Sequence, residues 1–211
     1  MKTIIQPTIL ARTNKEYKNI LKNHEKYFSK AQIDVMDNKF VKNKSVSLKI
    51  IKNTKTKLKK ELHLMIKNPE NKLKEIISIH PYSVIIHYSS TKKLDFIIKE
   101  LKKHKIKVAI GLNPGTSINV LKHYLKKVDY FLLMTVYPGF YGAKFQPKIL
   151  NKIKALRKIT RLPIEVDGHI DYKTAPKVVK AGANILCSGS FILNNTKNNL
   201  KLLKKSINDI K

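Results

Sequence analysis

The chain has 211 residues, of which 42% are hydrophobic and 27% are charged, a composition that excludes an intrinsically disordered protein. A single cysteine, Cys187, excludes a disulfide framework and a four-cysteine zinc site. No stretch without Asp, Glu, Lys or Arg is longer than that of residues 76–91, which is shorter than the roughly 20 residues of a membrane span. The net charge is +30, but only Arg12, Arg157 and Arg161 among the 44 basic residues are arginine, the residue that specific nucleic-acid readers favour. We therefore expect a single cytoplasmic domain, residues 1–211, with no membrane association and no specific nucleic-acid partner.

Short, β-branched apolar runs alternate along the chain with longer lysine-rich segments. The eight runs, each predicted to be a strand, are residues 3–10, 31–36, 61–66, Ser83–His87, Lys107–Leu112, 130–135, 163–166 and Ile185–Ser188. Several are nearly continuous runs of apolar residues, which is typical of parallel strands that are covered on both faces. Eight repeats of a strand followed by a helix predict a single-domain α/β fold, the (β/α)8 TIM barrel. The alternative, a doubly wound open sheet, lacks its GxGxxG motif after the first run.

The helix candidates between the strands carry a helical period and boundary residues. In the segment 91–104, apolar residues recur on one helix face, at positions Leu94, Ile97, Ile98 and Leu101. Pro69 and Pro147 stand where a helix is expected to begin, and Gly182 stands where one is expected to end.

The carboxyl ends of the predicted strands carry the candidate site, because TIM barrels place their active sites at that face. These ends bring together Thr8, Asp34, Met36, His63, Met65, His87, Asn113, Met134, Asp167, Gly189 and Ser190. The two-residue period of a strand also puts Gln32, Asp34 and Met36 on the inward side of the second strand. A buried carboxylate is costly unless it is paired, ligated or protonated, so Asp34 and Asp167 together indicate function. Taken singly, each aspartate could instead cap a strand end, and each methionine could fill the core.

Two glycine-containing segments predict a phosphate site. Residues 137–146, after the sixth run, hold Gly139 and Gly142, which permit positive φ and a close approach of the backbone to an anion. Gly189 and Ser190 are expected to open the last helix, whose N-terminus would attract a phosphate. We therefore expect a phosphorylated substrate, whose association the positive charge of the protein would accelerate.

Five segments, in order and spacing, resemble the ribulose-phosphate 3-epimerase family over about residues 4–193. They are IDVMDNKFVKN (33–43), ELHLMIKNPE (61–70), GLNPGTS (111–117), TVYPGFYGAKFQPKIL (135–150) and IEVDGHIDYKTAPKVVKAGANILCSGSFI (164–192). The resemblance implies an isomerase of the pentose phosphate pathway that inverts C3 of a ketose phosphate, D-ribulose 5-phosphate to D-xylulose 5-phosphate. Such an enzyme is also expected to form a homo-oligomer.

The resemblance further implies roles for individual residues. Asp34 and Asp167 match the two carboxylates of the family, one of which removes the C3 proton to give an enediolate while the other returns a proton from the opposite face. A divalent metal ion, commonly zinc, iron or manganese, acts in the family as a Lewis acid, and its ligands match Asp34, His63, Asp167 and one further position. The positions that match substrate contacts are Thr8, Met36, His63, Met65, Met134, Gly139, Phe140, Tyr141, Gly142, Gly168, His169, Gly189 and Ser190.

The chain departs from the motifs of the family at several positions. Gln32 stands where the family has a metal-binding histidine, and its neutral carbonyl oxygen is a poor donor for zinc. Asn38 and His169 stand at glycine positions, and Lys42 stands at a proline position. Three interpretations stay open: an epimerase with a different metal preference, an epimerase of another sugar phosphate such as a six-carbon ketose phosphate, and a non-catalytic barrel that binds sugar phosphates.

His169 offers a way to compensate for Gln32. If the chain stays extended beyond Asp167, the side chain of His169 points the same way as that of Asp167. It would then serve as a substitute metal ligand or as a cation that binds the substrate phosphate. If the chain instead turns after Gly168, His169 faces solvent.

Overall fold

A computed structural model describes residues 2–139 and 142–208, and its strands form one closed barrel. All eight strands are parallel and pair in chain order, with the first also paired to the last. They are β1 (Ile4–Ile9), β2 (Lys30–Met36), β3 (Lys59–Met65), β4 (Ser83–His87), β5 (Lys107–Leu112), β6 (Tyr130–Met134), β7 (Ile164–Asp167) and β8 (Ile185–Ser188). The predicted TIM barrel is confirmed, and each strand begins and ends within two residues of its predicted run.

Helices cover the outside of the barrel. The α-helices are α1 (Asn14–His24), α2 (Leu48–Asn53), α3 (Leu73–Ile77), α4 (Leu94–Lys103), α5 (Ile149–Ile159), α6 (Ala175–Ala181), α7 (Ser190–Asn194) and α8 (Thr196–Asn208), and short 3-10 helices span Pro69–Lys72, Tyr88–Ser90 and Ile118–Tyr124. The predicted apolar stripe of α4 is buried throughout. Of the helices in the described residues, none is both long and apolar enough to cross a membrane.

The predicted helix boundaries are confirmed in part. Gly182 ends α6 with a φ of 114°, as expected of a glycine at that position, and Pro69 is the first residue of a 3-10 helix. Pro147 lies in a turn two residues before α5 rather than in its first turn. Ser190 opens α7, a five-residue helix, and not the last helix as predicted, because Asn195 has a non-helical backbone and separates α7 from α8.

The two faces of the strands differ in polarity, and this difference positions the site. Apolar side chains on the outer faces pack against the helices in one large core. The inside of the barrel holds a smaller apolar group, which includes Ile85 and Leu132, and many buried polar side chains. The buried polar residues include Gln6, Thr8, Gln32, Asp34, Glu61, His63, Ser83, His87, Glu165 and Asp167. Since β2 pairs with β3 and β6 with β7, Asp34 lies beside His63 and Asp167 lies beside Met134 at the carboxyl ends.

His24, in the last turn of α1, is fully buried with its ring edge-to-face against Phe28. Within residues 2–139 and 142–208 neither ring nitrogen has a hydrogen-bond partner, and burial lowers the pKa of the imidazole from 6.5 to about 4. The unfolded chain therefore takes up a proton at a higher pH than the folded chain. The stability that neutral His24 contributes is present above pH 6.5 and is lost as the pH falls toward 4.

We predict that His24→Leu reduces the loss of stability between pH 7 and pH 5 by about 2 kcal/mol, because leucine takes up no proton. Urea unfolding of both proteins at the two pH values measures this difference. The other titrating groups are common to both proteins and cancel. Equal losses in the two proteins would show that burial does not lower the pKa of His24.

Candidate active site

One cavity opens at the carboxyl ends of the strands, and most of the predicted site residues line it. They are Thr8, Asp34, Met36, Met65, Met134, Gly139, Gly142, Asp167, Gly168, His169, Gly189 and Ser190. Gln32 and His63 are fully buried and contact the two aspartates of this cavity. Phe140 and Tyr141, which were also predicted to contact the substrate, lie outside the described residues.

The imidazole of His63 joins the two aspartates. Its Nδ1 lies 3.0 Å from Asp34 Oδ1 and 3.5 Å from Asp167 Oδ2. Burial by itself would lower the pKa of His63, but the hydrogen bonds and negative charges of Asp167 and Asp34 outweigh burial and raise it to about 10. Burial also raises the pKa of Asp34, against the opposing effect of His63. The three groups thus form one buried cluster in which the imidazole contacts both carboxyl groups.

Gln32 contacts this cluster from the side nearer the amino ends of the strands. Its amide nitrogen donates to Asp167 Oδ2 at 2.8 Å and to Asp34 Oδ1 at 3.2 Å, and it lies 3.1 Å from His63 Nδ1. The predicted inward orientation of Gln32 and Asp34 is therefore observed. Its carbonyl oxygen, by contrast, is buried and has no hydrogen-bond partner among the residues that the structure describes.

The donor set of this cluster fits a divalent metal ion. Ligand atoms of Asp34, His63 and Asp167 all lie within 4.8 Å of one another, which is close enough for one ion to bind all three after small movements. The unpartnered carbonyl oxygen of Gln32 is a fourth potential donor, since half a turn of the amide exchanges its oxygen with the nitrogen that now faces the cluster. Two carboxylates, one imidazole and one amide oxygen form a set in which oxygen predominates.

His87 is a site residue whose role the sequence did not indicate. Its Nε2 lies 2.8 Å from His63 Nε2, and the two rings stack with their centroids 5.0 Å apart. Burial, followed by the charge of His63, holds the pKa of His87 well below its usual value, so its ring stays neutral and can accept a hydrogen bond from His63 Nε2. The position of His87 at the end of β4 was the one available signal, and it did not distinguish a partner of His63 from a core residue.

The methionines form apolar walls above the charged cluster. Met36 and Met65 pack with Leu10 and Val41 in one small group, and Met134 lies in another. All three line the cavity and are almost completely buried, so they fill the core and face the ligand space at once. The hydroxyl of Thr8, by contrast, is buried with no hydrogen-bond partner among the described residues, and it lines the same cavity.

Thr135, just after β6, fixes the turn that follows Asp167. Its amide donates to the carbonyl of Asp167 at 2.7 Å, and its hydroxyl donates to the carbonyls of Asp167 and Gly168. Gly168 has a φ of 114°, and a Cβ there would lie 2.5 Å from Val136 Cγ2. Glycine is therefore required at position 168, and the turn beside the cavity is held in one conformation.

The residues that stand at two glycine positions of the family that the chain resembles both have a left-handed backbone. Asn38 has a φ of 61° and His169 has a φ of 52°, and asparagine and histidine are among the residues that tolerate this region best. The chain therefore turns after Gly168, and the extended geometry that would have aimed His169 at the metal ligands is wrong. Its side chain is exposed, with Nε2 3.8 Å from Asp171 Oδ2, at the rim that Gly189 and Ser190 share.

Comparison with known proteins agrees with this geometry. A sequence model of the ribulose-phosphate 3 epimerase family matches residues 4–193. The ribulose-phosphate 3-epimerase of Bacillus subtilis is 33% identical over 98% of this chain and 97% of its own, and that of Eremothecium gossypii is 30% identical over 99% and 95%.

Solved structures of other enzymes share the fold. A 3-keto-L-gulonate-6-phosphate decarboxylase from Vibrio cholerae covers the whole of both chains with a TM-score of 0.79 at 9% identity. A 3-hexulose-6-phosphate synthase from Salmonella typhimurium also covers both chains, with a TM-score of 0.74 at 15% identity. These two likenesses show the TIM barrel alone, whereas the sequence matches show more: the chain belongs to the ribulose-phosphate 3-epimerase family and is an epimerase that acts on a carbohydrate.

Proposed function

We propose that this chain interconverts D-ribulose 5-phosphate and D-xylulose 5-phosphate, with Asp34 and Asp167 as the two groups that transfer the C3 proton. The observation that carries the proposal is the convergence of both carboxylates on His63 Nδ1 at the floor of one cavity. They project from β2 and β7, with β1 and β8 between those strands, so they approach a bound sugar from two directions. One carboxylate removes the C3 proton, and the other donates a proton to the opposite face of the enediolate.

The surrounding side chains prepare the carboxylates for this exchange. Hydrogen bonds from Gln32 and the contact with His63 hold both carboxylates in place before the substrate arrives. The apolar walls of Met36, Met65 and Met134 exclude water, which would otherwise protonate the enediolate from either side. The Thr8 hydroxyl, which has no hydrogen-bond partner in the described part of the chain, can bind a substrate oxygen.

We propose that Asp34, His63, Asp167 and the carbonyl oxygen of Gln32 hold the divalent metal ion. When bound, this ion would supply Lewis-acid stabilisation of the negative charge that develops on the substrate. A neutral amide oxygen at position 32 favours a harder ion, such as manganese or iron(II), over zinc. Glutamine at position 32, in place of histidine, therefore affects which metal ion binds more than it affects how the C3 proton is transferred.

The phosphate of the substrate would lie at the opposite end of the cavity from His63. Gly139, Gly142, Gly168, Gly189 and Ser190 line that end and leave the backbone accessible to an anion. The ring of His169 lies at the same rim, so we assign it to the phosphate rather than to the metal ion. The expected homo-oligomer stays a prediction.

We predict that Asp34→Asn and Asp167→Asn each lower kcat by about 100-fold to 10,000-fold, because asparagine can neither remove nor return a proton. The assay follows the formation of D-xylulose 5-phosphate with added manganese, iron(II) or zinc. Asp95→Asn, which changes an exposed carboxylate on α4, is the matched control and keeps full activity. Full activity of either active-site variant would contradict the assignment. If the wild-type protein turns over no ketose phosphate yet melts at a higher temperature with one, the barrel binds without catalysing.

We predict that Gln32→His raises the affinity for zinc at least about 10-fold, because an imidazole replaces a weak neutral oxygen donor. Gln32→Leu, which removes the donor while keeping a similar size, is expected to lower the affinity for every divalent ion. Competition with a chelator measures the affinity, and elemental analysis of the purified proteins measures the occupancy. Equal affinities in the wild-type protein and both variants would show that residue 32 is not a ligand.

We predict that His87→Leu lowers metal affinity and kcat by about 10-fold to 100-fold, because the ring of His63 loses the partner that orients it. His87→Gln, whose side-chain carbonyl can still accept from His63 Nε2, is expected to restore most of both. Metal affinity is measured together with the melting temperature, which separates orientation from folding. If both variants lose stability but keep metal affinity, His87 is only a core residue.

A further inference from the structure

A second buried cluster of potential metal ligands lies inside the barrel, closer to the amino ends of the strands than the first. Ligand atoms of Glu61, Glu165 and Cys187 all lie within 4.8 Å of one another, and all three residues are at most 1% exposed. They come from β3, β7 and β8, and Gln6 on β1 is the direct register neighbour of Cys187. The cluster thus lies where β1 and β8 close the barrel.

Two oxygen atoms of this cluster have no partner. Glu165 Oε2 and Gln6 Oε1 are both buried, and neither has a hydrogen-bond partner among the residues that the structure describes. The amide nitrogen of Gln6 donates to Glu61, so half a turn of the amide would bring its oxygen to the carboxylate cluster. Unpartnered buried oxygens are costly, and a cation binding between them would satisfy both at once.

The charges of the cluster are also compatible with a bound divalent ion. Glu61 is paired with Lys30 at 3.0 Å, which leaves that pair neutral, and the hydroxyls of Ser83 and Tyr130 donate to the same carboxylate oxygen. The thiol of Cys187 lies 3.2 Å from Glu165 Oε1. Since Lys30 already balances Glu61, the Glu165 carboxylate and the Cys187 thiolate would meet the two positive charges of a bound divalent ion.

We propose that Glu61, Glu165, Cys187 and the carbonyl oxygen of Gln6 form a second, structural metal site for zinc or a similar borderline ion. Binding forms bonds from the ion to the Cys187 sulfur and the Glu165 carboxylate, and the thiol proton and the carboxyl proton leave to solvent. The thiolate excludes magnesium and calcium and selects zinc, cobalt(II) or iron(II). The ion would tie β1, β3, β7 and β8 together.

A surface cavity reaches the edge of this cluster. It has a volume of about 390 Å³, lies at the amino-terminal face of the barrel, and is lined by both Gln6 and Lys30. Lys30 keeps a fifth of its side chain exposed, whereas the cavity of the active site opens at the other end of the barrel. An ion that entered from this face would pass Gln6 and Lys30 and not the catalytic carboxylates.

Cobalt(II) tests this site selectively, because Cys187 is the only cysteine of the chain. A bond between a thiolate and cobalt(II) gives an intense near-ultraviolet charge-transfer band, which the oxygen and nitrogen ligands of the active site do not produce. We expect the folded wild-type protein to show this band and to bind one cobalt ion more per chain than Cys187→Ala. We expect the band to be lost in Cys187→Ala and weakened in Glu165→Gln, while Asp34→Asn keeps it.

Three results would overturn the proposal. The first is the absence of a near-ultraviolet band in folded wild-type protein saturated with cobalt(II). The second is a band of equal strength in the chain unfolded by urea, which would report an isolated thiol rather than a built site. The third is a band that Glu165→Gln leaves unchanged. Since the wild-type spectrum decides the first two, the test does not depend on the folding of any variant.

Discussion

The cost of burying a carboxylate inside the barrel is the constraint on which the site depends. Asp34 and Asp167 are both more than nine-tenths buried, and two negative charges at this depth repel each other unless a cation or a donor lies between them. His63 and Gln32 meet this need from β3 and β2, and His87 in turn contacts the far side of the His63 ring. A group that must hold two carboxylates together also holds them in position for proton transfer, so stability and catalysis share the same contacts.

The fold and the list of site residues could be predicted from the sequence because both follow from how apolar and polar residues repeat over a few positions. Apolar runs such as Tyr130–Met134 mark covered strands, and the two-residue alternation of β2 puts Gln32 and Asp34 on the inner face. The strand ends then converge because the barrel closes. No local pattern, however, specifies which polar atoms pair across the barrel, and this is why the roles of His87 and Thr135 emerged only from the structure.

The orientation of the His169 side chain shows where the two-residue alternation of a strand no longer predicts which way a side chain points. The alternation holds only while the backbone is extended, and β7 ends at Asp167. Gly168 and His169 both have positive φ, so the side chain of His169 turns to the rim of the cavity. The family has a glycine at this position, and a glycine in a site motif commonly marks a left-handed backbone. That glycine therefore indicated that the extended geometry ends here. The same rule applies to Asn38, which stands at another glycine position of the family and also has a positive φ.

Gln32 differs from a histidine in a way that matters for a site of this charge. An amide carries both a donor and an acceptor on one planar group, so it can stabilise the two carboxylates through its nitrogen when no cation is bound and offer its oxygen when one is. A neutral imidazole can do only one of these at a given ring nitrogen, and its protonated form cannot bind a metal ion at all. Glutamine in place of histidine therefore makes the position of the two carboxylates less dependent on a bound ion. It also leaves the cluster of Asp34, His63 and Asp167 rich in oxygen donors, whereas the cluster of Glu61, Glu165 and Cys187 includes a sulfur, so the two clusters would select different ions by donor chemistry.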